Sequence, residues 1–182
     1  VRSSDMVLYI VDPFQDAHFR VLHKELELAG MRLNQGKPPV FITRTERGGI
    51  DVRSTVEQTR LSNAEISDII REFGYTSAVV TLRVDVSAEQ IVDILAGNRI
   101  YSKAVIALNK IDIATEEELV RAEKVLPDGW PLMRISAFKG TGLEELKDFI
   151  YDNLGFMRVY LKPQGQEADL VEPLIVKDTS TV

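Results

Sequence analysis

Two continuous apolar runs constrain the fold of this 182-residue chain more than any other feature. Residues 6–11 lead into Asp12, and residues 104–108 lead into Asn109. Runs without polar alternation are typical of strands buried on both faces of a parallel sheet. In three segments, about residues 5–33, 101–126 and 130–155, a predicted strand is followed by apolar residues at helical spacing. This alternation predicts an α/β fold with a parallel sheet and right-handed crossovers.

The segment 36–97 interrupts the alternation with a predicted order of strand, strand, helix, strand and helix. Residues 40–43 and 50–52 flank Gly48 and Gly49, a pattern that predicts a hairpin around a glycine turn. Residues 62–65 and 115–118 match the capping box that begins many helices, and residues 141–144 predict the cap of the last helix.

The predicted elements divide the chain into four parts. Residues 1–35 and 98–155 form the main domain, 36–97 an α/β insertion within it, and 156–182 the beginning of another domain. The chain opens without Met, almost directly in a buried strand, and closes in residues typical of a helix N-cap. We therefore expect a piece of a longer protein.

Composition narrows the classes of function. The net charge of −6 disfavours nucleic-acid binding through bulk charge, and the absence of cysteine excludes disulfides and thiolate zinc sites. His18 and His23 are not in register for a metal on one helix face, so we predict no metal site. Because no apolar run is long enough to span a bilayer, we expect a cytoplasmic protein without membrane contact.

The run 104–108 is followed by an N-K-x-D motif made of Asn109, Lys110 and Asp112. Guanine presents an N1–H and an exocyclic amine side by side, and one carboxylate, that of Asp112, can accept from both. Adenine lacks this pair of donors and would leave a desolvated carboxylate without partners. In this interpretation Asn109 braces the loop and reaches the purine, and the stem of Lys110 covers the base. The alternative is an ordinary turn with a solvated lysine.

A second loop, Ser136, Ala137 and Phe138, follows the next predicted strand. A backbone N–H near Ala137 could donate to O6 of guanine, where adenine carries an amine. Small residues let the backbone approach the base. By itself this signal is weak, since Ser, Gly and Thr are common in any loop before a helix.

The machinery for phosphates is missing from the sequence. There is no G-x-x-x-x-G-K-S/T motif, and without it phosphoryl transfer lacks positioning and charge neutralisation. We therefore predict no catalytic residue and no GTP hydrolysis by this piece alone. Arg44, Arg47 and Arg53 surround the predicted glycine turn, where a solvated turn is favoured over an anion or RNA contact.

The chain resembles the DRG family, the developmentally regulated GTP-binding proteins, within the Obg-related branch of translation-factor GTPases. The order and spacing of the matching stretches hold over essentially the whole chain: residues 25–34, 37–39, 48–50, 80–83, 97–101, 109–112 and 159–166. The stretches 97–101 (G-N-R-I-Y) and 162–166 (K-P-Q-G-Q) are more specific than N-K-x-D alone.

The resemblance implies an incomplete three-layer sheet of the P-loop NTPase type, with 36–97 as the family's α/β insertion. Residues 156–182 would be the first strands of a β-grasp TGS domain. It also implies GTP and GDP as ligands, with slow GTP hydrolysis by the parent protein and Mg²⁺ held by residues absent from this chain. Ribosomes and a DRG family regulatory protein are the implied partners.

The base-reading roles carry over from the family to Asn109, Lys110, Asp112, Ser136 and Ala137. Phe138 stands where other GTPases commonly have lysine, and its ring either stacks on the base or packs against the protein. Two hypotheses follow: a guanine-reading part of a GTPase, or a non-enzymatic module of the same protein that contacts ribosome or RNA.

Overall fold

The computed structural model describes residues 3–162, 165, 170–171 and 173–177. Of the stretch 162–166, Pro163, Gln164 and Gln166 lie outside the described residues. The elements in chain order are β1 (Met6–Val11), α1 (Asp16–Leu28), β2 (Met31–Leu33), β3 (Val40–Arg44), β4 (Ile50–Ser54), α2 (Asn63–Glu72), β5 (Ala78–Leu82), α3 (Ala88–Ala96), β6 (Ile100–Leu108), α4 (Glu116–Glu123), β7 (Leu132–Arg134), α5 (Leu143–Leu154), β8 (Phe156–Val159) and β9 (Leu174–Lys177). The predicted α/β class with a parallel sheet is confirmed.

The chain divides into two compact units, of which the first comprises Val1–Leu26 and Ser102–Val182. Its sheet is built around β6, which pairs in parallel with β1 on one side and with β7 on the other. Residues 104–108 of β6 are at most 1% exposed, as their unbroken apolar run predicts. Burial on both faces is wrong for β1: Tyr9 and Val11 are buried on one face, but Ile10, which points to the opposite face, is 62% exposed. An aromatic cluster of Tyr9, Phe19, His23 and Trp130 joins α1 to β1, and the His23 ring stacks on Phe19.

The second unit is Glu27–Tyr101 and contains a three-stranded sheet packed against α2 and α3. The predicted hairpin of β3 and β4 is wrong, because β5 lies between them, antiparallel to β3 and parallel to β4. The physical reason is burial: alternate residues of β5, from Ala78 to Leu82, are at most 1% exposed and fill the middle of the sheet. The short strand β2 was not predicted, and the carbonyl of Gly30 just before it accepts from the N–H of Ile100 in β6.

Local signals set most helix starts. The capping boxes of Ser62 with Glu65, and of Thr115 with Glu118, are present and begin α2 and α4. The predicted cap of α5 is wrong: Gly142 is the N-cap and makes no side-chain hydrogen bond. Thr141 does not cap the helix but forms a β-bridge with Ser136, in which its carbonyl accepts from the Ser136 N–H.

Near the end of the chain, β8 and β9 pair antiparallel. Both strands lie within the segment 156–182, where the resemblance implies the first strands of a further domain. The predicted domain boundaries, including a TGS domain from 156, remain a prediction. Within the described residues, no helix combines the length and the apolar character needed to cross a bilayer.

The second unit contains a buried ion network. The carboxylate of Asp93 accepts from Nε of Arg32 at 2.6 Å, from Nη2 of the same residue at 2.9 Å, and from Nε of Arg99 at 2.6 Å. The side chains of Arg32 and Asp93 are only 9% and 4% exposed. Removing one member of such a network leaves an uncompensated charge in the interior.

We therefore expect Asp93→Asn to lower the free energy of unfolding by about 3–5 kcal/mol, measured by urea denaturation. The matched control is Glu89→Gln, because the Glu89 carboxylate also meets Arg32, at 3.3 Å, but its side chain is 77% exposed. The control should cost no more than about 1 kcal/mol. Equal losses in the two variants would contradict the role given to burial.

Candidate functional site

Strand register brings three chain segments to one edge of the first unit's sheet. Val11 at the end of β1 lies opposite Leu108 at the end of β6, and Leu108 lies opposite Arg134 at the end of β7. Because all three strands are parallel, the residues that follow them emerge at the same edge. These residues include Asp12, Asn109 and Ser136.

Asn109 links the two predicted loops, 109–112 and 136–138, by a hydrogen bond. Its N–H donates to the carbonyl of Val11 at 2.9 Å, and its side-chain Oδ1 accepts from the N–H of Ala137 at 2.9 Å. A second link joins the same loops, since the N–H of Ile111 donates to the carbonyl of Ile135 at 3.2 Å. A backbone N–H near Ala137 is predicted to meet O6 of guanine, and the N–H of Ala137 itself donates to Asn109.

Asp112 and Ser136 form a third link between the two loops. The hydroxyl of Ser136 donates to Oδ1 of Asp112 at 2.6 Å, and the same Oγ accepts from the N–H of Lys139 at 3.1 Å. Ser136 is fully buried, whereas Asp112 is only partly covered. The Ser136 hydrogen bond lowers the pKa of Asp112, with a smaller contribution from the charge of Lys139, against an opposing effect of burial.

Lys110 has an ionic partner that sequence reasoning missed. Its Nζ lies 2.7 Å from Oδ2 of Asp12, the residue that directly follows β1. Burial would raise the pKa of Asp12, but hydrogen bonds from Lys110 and Phe14 and the charges of Lys110 and His18 lower it overall. The sequence did contain a signal for this ion pair: Asp12 is an acidic residue directly after one predicted strand, as the N-K-x-D motif is directly after another.

The side chain of Phe138 is 91% exposed, so the ring is not packed against the protein.

The loop from 136 to 142 depends on a glycine at its end. A Cβ at Gly142 would lie 3.0 Å from the carbonyl oxygen of Arg134, and its φ is +76°. Both the close approach and the left-handed backbone favour glycine at this position.

Arg134, the last residue of β7, links this strand to α4 through two ion pairs. Its Nε donates to Glu123 at 2.7 Å, and its Nη1 donates to both carboxylate oxygens of Glu116, at 2.9 and 3.0 Å. These acidic residues lie at the two ends of α4, the helix that follows the N-K-x-D loop. Glu123 and Glu116 raise the pKa of the guanidinium, which stays charged. Sequence reasoning did not single out this residue.

We expect Ser136→Ala to raise the pKa of Asp112 towards its ordinary value, measured by NMR titration of the carboxyl carbon. Because the pKa of Asp112 is lowered by folding, its hydrogen bond stabilises the folded chain above the unfolded-state pKa. That stabilisation disappears as the pH falls through the folded-state pKa. The stability difference between the variant and the natural chain should therefore shrink over this acidic range.

The control for this titration lies in the same spectra. Glu118 also has a lowered pKa, caused by hydrogen bonds from the backbone and side chain of Thr115. The pKa of Glu118 should not change in the Ser136 variant. An unchanged pKa of Asp112 would contradict the importance given to the Ser136 hydroxyl.

Comparison with known proteins places these loops in a family. Residues 47–156 match the family described as the C-terminal region of the MMR_HSR1 domain. An uncharacterized GTP-binding protein of Methanocaldococcus jannaschii is 43% identical over 100% of this chain and 47% of its own length. Developmentally-regulated GTP-binding protein 1 of Xenopus laevis is 33% identical over 99% of this chain and 48% of its own.

A further relative is Ribosome-interacting GTPase 1 of Saccharomyces cerevisiae, 34% identical over 97% of this chain and 47% of its own length. The chain thus spans about half the length of the curated relatives it matches. The family match covers more than half of the chain, and the relatives align over nearly all of it. The chain therefore belongs to the DRG family, and it contains the C-terminal region of that family's MMR_HSR1 domain.

Proposed function

We propose that this chain supplies the guanine-reading half of a GTP-binding site. The observation that carries the proposal is the pair of loops 109–112 and 136–138, held together by Asn109 with Ala137 and by Asp112 with Ser136. The names of the relatives from M. jannaschii and X. laevis, both GTP-binding proteins, support the same ligand.

In this proposal, Asp112 accepts from the N1–H and the exocyclic amine of guanine. An aspartate is ionised at neutral pH, and the pKa of Asp112 is lowered further by Ser136, so the carboxylate is a pure acceptor and cannot offer a proton to adenine. Ser136 holds one oxygen of this carboxylate and so limits its rotation. A rigid acceptor rejects a base that lacks the matching donors, because the base covers the carboxylate from water without offering it a partner.

Guanine O6 competes for a donor that the protein already uses. The Ala137 N–H donates to Asn109 Oδ1, so a guanine O6 that meets this N–H shares or displaces that hydrogen bond. The exposed ring of Phe138 lies in the same loop and is available to stack on the base. Lys110 covers the purine with its methylene stem.

The phosphates and Mg²⁺ are proposed to be held by residues outside this chain, since its sequence has no P-loop motif. GTP hydrolysis then belongs to the longer protein, with no catalytic residue in this chain. We further propose that residues 156–182 begin a TGS domain, and that the protein acts in translation in the cytoplasm with a DRG family regulatory protein as partner.

Binding of a fluorescent GDP analogue to this chain tests the proposal, with and without Mg²⁺ and in competition with GDP and ADP. We expect micromolar binding that unlabelled GDP abolishes and ADP does not, with little effect of Mg²⁺. Equal competition by ADP would contradict guanine reading, and no binding would contradict a site preformed in this chain.

Asp112→Asn should shift the preference from GDP towards XDP. The asparagine Oδ1 can still accept from Ser136, while its amide N–H₂ suits the carbonyl that xanthine has in place of the guanine amine. We expect GDP binding to fall at least tenfold while XDP binding rises, measured by the same competition assay. An unchanged ratio of GDP to XDP affinity would refute the role of Asp112.

A second candidate function is a contact with ribosomal RNA through the second unit, which the name of the S. cerevisiae relative favours. The arginines of this unit differ in the groups that their guanidinium ions already contact. The guanidinium of Arg44 lies 4.2 Å above the Tyr75 ring, and Arg53 pairs with Asp51 at 2.7 Å. Arg83 lies over Phe41, a ring that is 53% exposed. An exposed ring beside an arginine is a surface on which an unpaired base can stack.

Co-sedimentation with ribosomes at increasing salt tests this second function. We expect binding at low salt that falls as salt rises, and that weakens in Arg83→Gln as well as in Arg44→Gln and Arg47→Gln. The matched control is Arg71→Gln on α2, an exposed arginine that pairs with Asp68 on the same helix. No binding at low salt would remove this function, as would an equal loss in the control.

A further inference from the structure

Asp12 occupies a fixed position at the end of β1. Its Oδ1 accepts from the N–H of Phe14 at 3.0 Å, and its main-chain carbonyl accepts from the N–H of Gln15 at 3.0 Å. These bonds form a turn that leaves Oδ2 directed to Nζ of Lys110, 2.7 Å away. The Asp12 side chain is 18% exposed, so its carboxylate is largely enclosed.

Lys110 is the more adaptable partner. Its backbone has φ of +68°, a left-handed conformation that non-glycine residues adopt only where the surroundings hold them. The N–H groups of Ile113 and Ala114 both donate to its carbonyl, which fixes the backbone. The side chain has four rotatable bonds and is 45% exposed, so the ion pair with Asp12 is what restricts it.

We infer that Asp12 is a positioning residue that orders Lys110 for base binding. The inference rests on the proposed guanine site. With its ammonium held by Oδ2 of Asp12, Lys110 presents its methylene stem to a flat purine and keeps its charge away from the base edge. A side chain ordered before the ligand arrives does not lose its rotamer freedom on binding, so affinity rises.

A double-mutant cycle isolates this effect. Asp12→Asn keeps Oδ1 as acceptor for Phe14 but replaces the other oxygen with a donor, so the turn remains and the ion pair is lost. Lys110→Met keeps an apolar stem of similar length without the ammonium. We expect Asp12→Asn to weaken GDP binding about three- to tenfold, the range for ordering one flexible side chain.

In the Lys110→Met background, Asp12→Asn should have no further effect on GDP binding. A purely structural role of Asp12, acting through the turn at Phe14, would persist in that background and would overturn the inference. The control is Asp148→Asn, an exposed carboxylate on α5, which should leave binding unchanged. A loss in this control equal to that of Asp12→Asn would also overturn the inference.

A measurement without nucleotide separates the inference from the proposed function. Carbon relaxation of the Lys110 ε-methylene should report restricted motion in the free chain and greater motion in Asp12→Asn. If the chain binds no GDP, the guanine site fails but this comparison still decides whether Asp12 orders Lys110. Equal motion in the two chains would overturn the inference, whatever the nucleotide result.

Discussion

The parallel pairing of β6 with β1 and β7 is the constraint on which the candidate site depends. One register places Val11, Leu108 and Arg134 side by side, and the segments that follow therefore meet at one edge. A shift of either neighbour by one residue would turn its side chains to the opposite face and separate the two loops. The complete burial of residues 105–108 fixes this register, because any slip would expose apolar surface or bury charge.

The loops at this edge are linked by the same kinds of group that would bind a base. Asn109 Oδ1 engages a backbone N–H, the Ser136 hydroxyl engages a carboxylate, and that carboxylate carries a lowered pKa. At the proposed site, guanine would therefore exchange or share internal hydrogen bonds and would not simply add new ones. Such an exchange contributes modestly to affinity, but it penalises a base with the wrong donors, whose binding leaves buried groups without partners.

Features with a local cause could be predicted from the sequence, and those set by distant pairing could not. The unbroken apolar run 104–108 indicated a buried strand, and the capping boxes at Ser62 and Thr115 marked two helix starts. The run 6–11 indicated a strand but not its burial, because Ile10 is 62% exposed. The placement of β5 between β3 and β4 depends on which strand is most buried, which a glycine turn does not reveal. The Asp12–Lys110 pair joins residues 98 positions apart, so only the register of β1 with β6 brings them together.

The most direct test of the guanine-reading site is an amide NMR titration of the ¹⁵N-labelled chain with GMP and, separately, with AMP. GMP should shift the amide signals of residues 109–114 and 136–139, the two loops that follow β6 and β7 at one edge of the sheet. AMP at the same concentrations should leave them in place. Equal shifts with both nucleotides, or shifts confined to other parts of the chain, would contradict a preformed guanine-reading site.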